Sequence, residues 1–207
     1  VENDVTLNTG PIYTTLMDQD KNVVAHFVPG NTLDAYAMPS ENAGVIKLSP
    51  DYPGGSVNGN HWTECYLPDS EVTISAEYVL GYAFAHWTID GVQSEAGPVH
   101  TLVMATDPSA YAQFTAGYVL EAAVYPDTDH GSIGFDPDHP GGEQVDNIWR
   151  ESFLPDSEAI VSAVANVGYV FDHWEQDALP IAGGPEYSVL MDQDQSLDCY
   201  FNTGYVV

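Results

Sequence analysis

Seven histidines, two cysteines and 31 acidic side chains are the residues of this chain that could do chemistry. His86 and His173 each stand directly before a tryptophan, in "GYAFAHW" (81–87) and "GYVFDHW" (168–174). A histidine can act as general base toward a hydroxyl, and Ser70 and Ser157 recur in two copies of "LPDSE" (67–71 and 154–158). No GxSxG elbow surrounds a serine, and no HExxH or clustered Cys/His run offers zinc ligands. A repeated His next to a Trp reads instead as a structural residue, and no catalytic residue is assigned. Calcium has a better claim. "PDTDHG" (126–131) sets Asp127 and Asp129 before a glycine. Calcium takes about six to eight oxygens, and the matching loop "PSENAG" (39–44) has one carboxylate, Glu41. Asp127 and Asp129 are thus a thin calcium candidate in what reads mainly as an acidic turn. Diffuse binding of cations such as calcium is expected over a dedicated site, and no cofactor is expected.

Cys65 and Cys199 leave two readings open. Ser152 stands where Cys65 would repeat, and Ala25 and Ala112 where Cys199 would, so the repeat itself needs no bridge. Either both are free thiols, with Cys199 in the core beside Phe201, or they form one disulfide, within or between chains, in an oxidising compartment. Trp62 and Trp149 lie among polar residues. They are candidate packing or interface anchors, and otherwise a platform on which a sugar could stack.

These residues sit on a repeat. Gly168 follows Gly81 by 87 residues, and the same shift aligns "PDYPGG" (50–55) with "PDHPGG" (137–142) and Trp62 with Trp149. It also aligns "YTTLMDQDKNVVAHF" (13–27) with "HTLVMATDPSAYAQF" (100–114) and "YSVLMDQDQSLDCYF" (187–201), with no gap anywhere. A fixed period without insertions means tandem structural units. With Gly30, Gly117 and Gly204 as boundaries, complete units run 30–116 and 117–203. Residues 1–29 match the C-terminal part of a unit, and 204–207 the start of a further one.

Each unit reads as strands. "EVTISAEY" (71–78) turns Val72, Ile74 and Ala76 to one face and Thr73, Ser75 and Glu77 to the other, the period of a half-buried strand. Strict alternation in "YAFAHW" would put Tyr82, Phe84 and His86 on one face and Ala83, Ala85 and Trp87 on the other. Asp-rich "MDQDK" (17–21) and "MDQDQ" (191–195) read as hairpin turns. No helical stripe exceeds two turns, and Gly and Pro punctuate the chain as in all-β domains. The expected fold is all-β, with Tyr82, Phe84, Trp87, Tyr169, Phe171 and Trp174 as core anchors. Each large aromatic is worth ~2–3 kcal/mol when fully covered.

Net charge is −28, with Lys21, Lys47 and Arg150 the only basic residues besides histidine. Nucleic acid and anionic lipid need basic patches and are poor partners. No stretch approaches the ~20 apolar residues of a membrane span. A start at Val1-Glu2 reads as a processed terminus after export. Secreted or cell-surface location is expected.

The order of a Pro-Gly-Gly loop, a "VTISA" strand, "GYxFxxW" and a "YxxLMxxDxxxxAxF" segment resembles the divergent B-repeat of internalin-like surface proteins. The resemblance implies export, tandem arrays on long surface proteins, no catalytic residues, and an all-β module, a β-sandwich or β-grasp-like unit. An extra segment, "SVNGNHWTECY" (56–66) and "EQVDNIWRESF" (143–153), departs from that pattern. Function is therefore expected to be structural: a building block of a surface fibre, sheath or layer that pairs with copies of itself. The other class is an adhesin stalk that grips glycan or a surface protein. Residues 1–29 are expected to pair with another subunit or with the unit at 30–116.

Overall fold

A computed structural model describes residues 12–204, which contain eighteen strands and no helix. The first nine are β1 (Asn31–Met38), β2 (Gly44–Ser49), β3 (Ser56–Asn58), β4 (His61–Tyr66), β5 (Glu71–Tyr78), β6 (Tyr82–Ile89), β7 (Val92–Ser94), β8 (Val99–Val103) and β9 (Ser109–Ala116). The second nine are β10 (Tyr118–Tyr125), β11 (Gly131–Asp136), β12 (Glu143–Val145), β13 (Ile148–Phe153), β14 (Glu158–Ala165), β15 (Tyr169–Gln176), β16 (Leu179–Ile181), β17 (Glu186–Leu190) and β18 (Gln195–Thr203). The repeat period carries each strand onto its counterpart.

Each set makes two sheets. A six-stranded sheet runs β3-β4-β1-β9-β6-β7, and a three-stranded one β2-β5-β8; the second set repeats both orders. β1 lies parallel to β9, and β10 to β18, while the other pairs are antiparallel. The sheets close face to face over one core per set. Leu33, Ala35 and Trp87 meet Ile46, Val72 and Ile74 in the first, and Leu120, Trp174 and Cys199 meet Ile133 and Val161 in the second. Of the two expected architectures this is the β-sandwich.

β5 alternates as the sequence predicts, with Val72, Ile74, Ala76 and also Tyr78 buried. β6 does not. Its pairing with β9 shifts between Phe84 and His86, and β15 shifts against β18 between Phe171 and His173. The bulge adds one residue, so Phe84 and Trp87, three apart, both face the core. Their rings lie 5.6 Å apart, and those of Phe171 and Trp174 5.9 Å apart. Strict alternation would have separated them.

The repeated aspartates have specific duties. In "LPDSE" Asp69 and Asp156 take positive φ, 62° and 61°, a conformation that a short polar side chain tolerates. Ser70 and Ser157 close the same turn by donating Oγ–H to the carbonyls of Leu67 and Leu154, both at 2.7 Å. The segments after β8 and β17 are not hairpin turns, because β8 and β9, like β17 and β18, belong to different sheets. They cross between layers, and Asp107 and Asp194 there accept the N–H of Thr32 and Val119 at 2.7 and 2.8 Å. Each aspartate thus ties the crossover to the entry of the first strand in its set.

Residues 12–29 form no strand beyond a single bridge at Val23. Met17 and Phe27 correspond to Met104 and Phe114, which are buried, yet here they are 70% and 94% exposed. The expected strand pairing with 30–116 is absent from these described residues.

Candidate functional site

The two sets meet at a junction built around Glu151. This carboxylate is 1% exposed on β13. It accepts the N–H of His139 at 2.7 Å and pairs with His139 Nδ1 at 3.0 Å, holding the Pro-Gly-Gly loop 137–142. Tyr78, at the end of β5, lies against that loop and donates its N–H to the Pro140 carbonyl at 3.1 Å. A Cβ added to Gly141 would come within 2.5 Å of the Tyr78 carbonyl, and Gly141 has φ of 125°. Only glycine fits there. Ser152 then joins the sets twice: its N–H donates to the Tyr78 hydroxyl oxygen at 3.1 Å, and its Oγ accepts Gly81 N–H at 2.9 Å. Gly117 N–H donates to the Gly81 carbonyl at 2.9 Å.

The first set carries the same arrangement, with no second set seated on it among the described residues. Glu64, 4% exposed, accepts the N–H of Tyr52 and so holds the loop 50–55. Nothing lies within 4 Å of a Cβ placed on Gly54, the counterpart of Gly141. Cys65, the counterpart of buried Ser152, is exposed. The glutamate's first duty is therefore local; it shapes a loop on which a tyrosine can be seated.

Burial pushes the Glu151 carboxyl above the usual glutamate range, against the lowering effect of the bonds from His139. Glu64 and Asp198 are also raised by burial. A raised acid contributes stability below its ordinary pKa and loses it as pH rises through the folded value. Melting temperature should therefore rise on going from about pH 7 to about pH 5. Glu151→Gln, which keeps the accepting oxygen, should flatten that rise. Thermal unfolding of both proteins across this range checks it; identical slopes would contradict the assignment.

The other sequence candidates lie apart from the junction. Trp87 and Trp174 are 0% and 1% exposed, with Tyr82, Phe84, Tyr169 and Phe171 half-buried beside them. Both indole N–H groups lack a hydrogen-bond partner. Trp62 and Trp149 are half-buried at the rims of the two cores. The extra segment that holds them forms the edge hairpins β3–β4 and β12–β13. Cys65 and Cys199 do not bridge within the chain: one is exposed on β4, the other buried in the second core. Burial pushes the Cys199 thiol up to about 12. Asp127 accepts the N–H of Asp129 at 3.1 Å and pairs with His130 Nδ1 at 2.6 Å, and no group of three or more His, Cys, Asp or Glu converges among the described residues. His173 pairs with Asp172 and Glu175 rather than with Ser157.

Two ring stacks stand on the outer faces of the six-stranded sheets. His61, Tyr36 and Tyr111 stack at 4.2 and 4.8 Å, and Tyr125, Tyr200 and His173 at 5.2 and 4.8 Å. They occupy different strands and rows in the two sets.

The divergent InlB B-repeat domain family matches residues 50–118 and 150–204. No curated protein matches the chain. Similar solved structures include a minor pilin of Streptococcus agalactiae, 10% identical over 86% of this chain and 98% of that one, with a TM-score of 0.31. The major pilin of Streptococcus pyogenes is 9% identical over 85% and 97%, at 0.28. A shaft pilin of Lactobacillus rhamnosus GG is 8% identical over 86% and 98%, at 0.26. At such scores the pilins say nothing about the function of this chain.

Proposed function

This chain belongs to the divergent InlB B-repeat family, and from that premise we propose that it is a non-enzymatic structural element outside the cell. Its repeated sandwiches serve as spacer or building block of a surface fibre, sheath or layer. The observation that carries this is the junction. Its groups, Tyr78, Gly81, Gly141 and Ser152, bind one sandwich to the next, and a seated joint transmits position and load where a linker would not. Immunogold labelling of cells that make the protein tests the proposal. Label outside the envelope is the expected result; label confined to the cell interior would overturn it.

A second reading, an adhesin stalk, is favoured by the two half-exposed ring stacks, since rings beside carboxylates suit sugar faces and edges. A glycan array probed with the isolated chain separates the readings, with saturable binding favouring the stalk.

Cations are expected to strengthen the folded state in either case. With net charge −28 like charges repel, and salt screens them with a Debye length of ~8 Å at physiological strength. Melting temperature should rise with added sodium chloride or divalent ions. An unchanged melting temperature from low to high salt would show the carboxylates too dispersed to matter.

A further inference from the structure

The outer face of the first six-stranded sheet carries a row of side chains that the second lacks. Backbone pairing lines up Asn58, His61, Tyr36, Tyr111, Thr88 and Gln93, on β3, β4, β1, β9, β6 and β7 in turn. Directly paired residues share a face of the sheet. With strands ~4.8 Å apart the row runs about 24 Å from edge to edge. All six side chains can make hydrogen bonds. At the same positions of the repeat the second set has Val145, Ile148, Ala123, Asp198, Glu175 and Pro180. The second sandwich folds on those residues, so the fold itself requires neither the rings nor the amides of the first.

The two faces also differ in charge. Apart from buried Glu64, the six strands of the first sheet contain one Asp, Glu, Lys or Arg, which is Asp34. It is held by Thr63 Oγ–H at 2.9 Å and by His61 Nε2 at 2.7 Å. Apart from buried Glu151, the counterpart strands contain Glu121, Glu143, Arg150, Asp172, Glu175 and Asp198. A chain of net charge −28 thus keeps one broad face almost free of charge. An anion is repelled by the chain as a whole, and a basic peptide is drawn to the second face. What suits the first is an uncharged ligand, with C–H surfaces to cover a ring and hydroxyls to meet amide, imidazole and phenol groups. A sugar has both.

We propose that an uncharged polysaccharide lies along this row, across the strands of the first sheet. This rests on the stalk reading above and supplies its face and its class of ligand. His61, Tyr36 and Tyr111 cover one another's inner faces. The outer face of Tyr111 looks toward Thr88, its neighbour on β6, and takes one sugar ring. Hydroxyls of the adjoining sugars bond to Gln93 on one side and to His61 and Asn58 on the other.

Affinity electrophoresis of the full chain in native gels tests this. Dextran, hydroxyethylcellulose, galactomannan and mixed-linkage β-glucan serve as uncharged probes, and polygalacturonate as the acidic one. At least one uncharged probe should retard the chain, with little dependence on salt, and polygalacturonate should not. Tyr36→Ala with Tyr111→Asp installs the residue types that the second set carries at these positions. It should weaken retention roughly tenfold or more, with far-ultraviolet circular dichroism unchanged. Tyr200→Ala, in the other ring stack, should leave retention as it was. Retention that survives the double variant, or that is lost in Tyr200→Ala, would overturn the proposal and leave the stalk reading standing. Retention by polygalacturonate alone would overturn the uncharged class of ligand and the proposal with it. Retention by none of the probes would overturn both the proposal and the stalk reading, and the immunogold result decides the structural reading independently.

Discussion

Trp174→Ala is expected to lower the stability of the chain by about 3–5 kcal/mol, the usual penalty for emptying a large core site. Trp174 is among the largest fully buried side chains of the protein, at 1% exposure. Phe171 packs on it at 5.9 Å, and Phe171 packs on Phe201 at 6.4 Å. The bulge in β15 exists to bring the first pair together, so removing the indole leaves the ring of Phe171 without its main partner. The indole N–H has no hydrogen-bond partner, and an unmet buried donor costs ~1–3 kcal/mol. Trp174→Phe should accordingly cost less than its lost volume implies. Chemical denaturation measures both variants. A loss under about 1 kcal/mol for Trp174→Ala would show that the residue is no anchor.

Tyr78→Ala is expected to uncouple the two strand sets. Tyr78 is 5% exposed and sits in contact with the backbone of Gly141. Its hydroxyl oxygen is the acceptor for Ser152 N–H. Truncation removes the wedge, exposes the loop 137–142 and leaves that donor unmet, at a combined cost of about 3 kcal/mol. With the junction broken, calorimetry should resolve two unfolding transitions in place of one. Tyr78→Phe keeps the wedge and removes only the acceptor, and should cost ~1 kcal/mol with the single transition retained. An unchanged unfolding profile for Tyr78→Ala would mean that the sandwiches were never coupled through this residue.

The period and the all-β class were legible because both live in local pattern. The shift of 87 residues aligns "GYAFAHW" with "GYVFDHW", and "EVTISAEY" alternates as a strand must. Bulges were not legible. Phe84 and Trp87 share a face only because an extra residue enters β6, and nothing in a period-of-two template announces that. The layer crossing after β8 was also hidden, since Asp-rich segments suit turns and crossovers alike. Asp107 is fixed by its bond to Thr32, 75 residues away in sequence. The junction was missed for a different reason. Glu64 and Glu151 read as two more acids in an acidic chain, and only burial sets them apart. A usable signal lay in the positions where the copies disagree: Cys65 against Ser152, and Tyr78 against Ala165. Equivalent residues in equivalent folds differ where their surroundings differ, and Tyr78 and Ser152 are the members of these pairs that lie in the junction.

Amide hydrogen exchange on the isolated chain tests the seated junction most directly. Ser152 N–H is held by the Tyr78 hydroxyl and Gly81 N–H by Ser152 Oγ. Cys65 and Gly168 occupy the same two positions of the repeat where the contact is open. At dilution, Ser152 and Gly81 should exchange slowly and Cys65 and Gly168 fast. Tyr78→Ala should bring Ser152 and Gly81 to the rates of their counterparts. Equal rates at Ser152 and Cys65, and at Gly81 and Gly168, in the unaltered chain would contradict the junction.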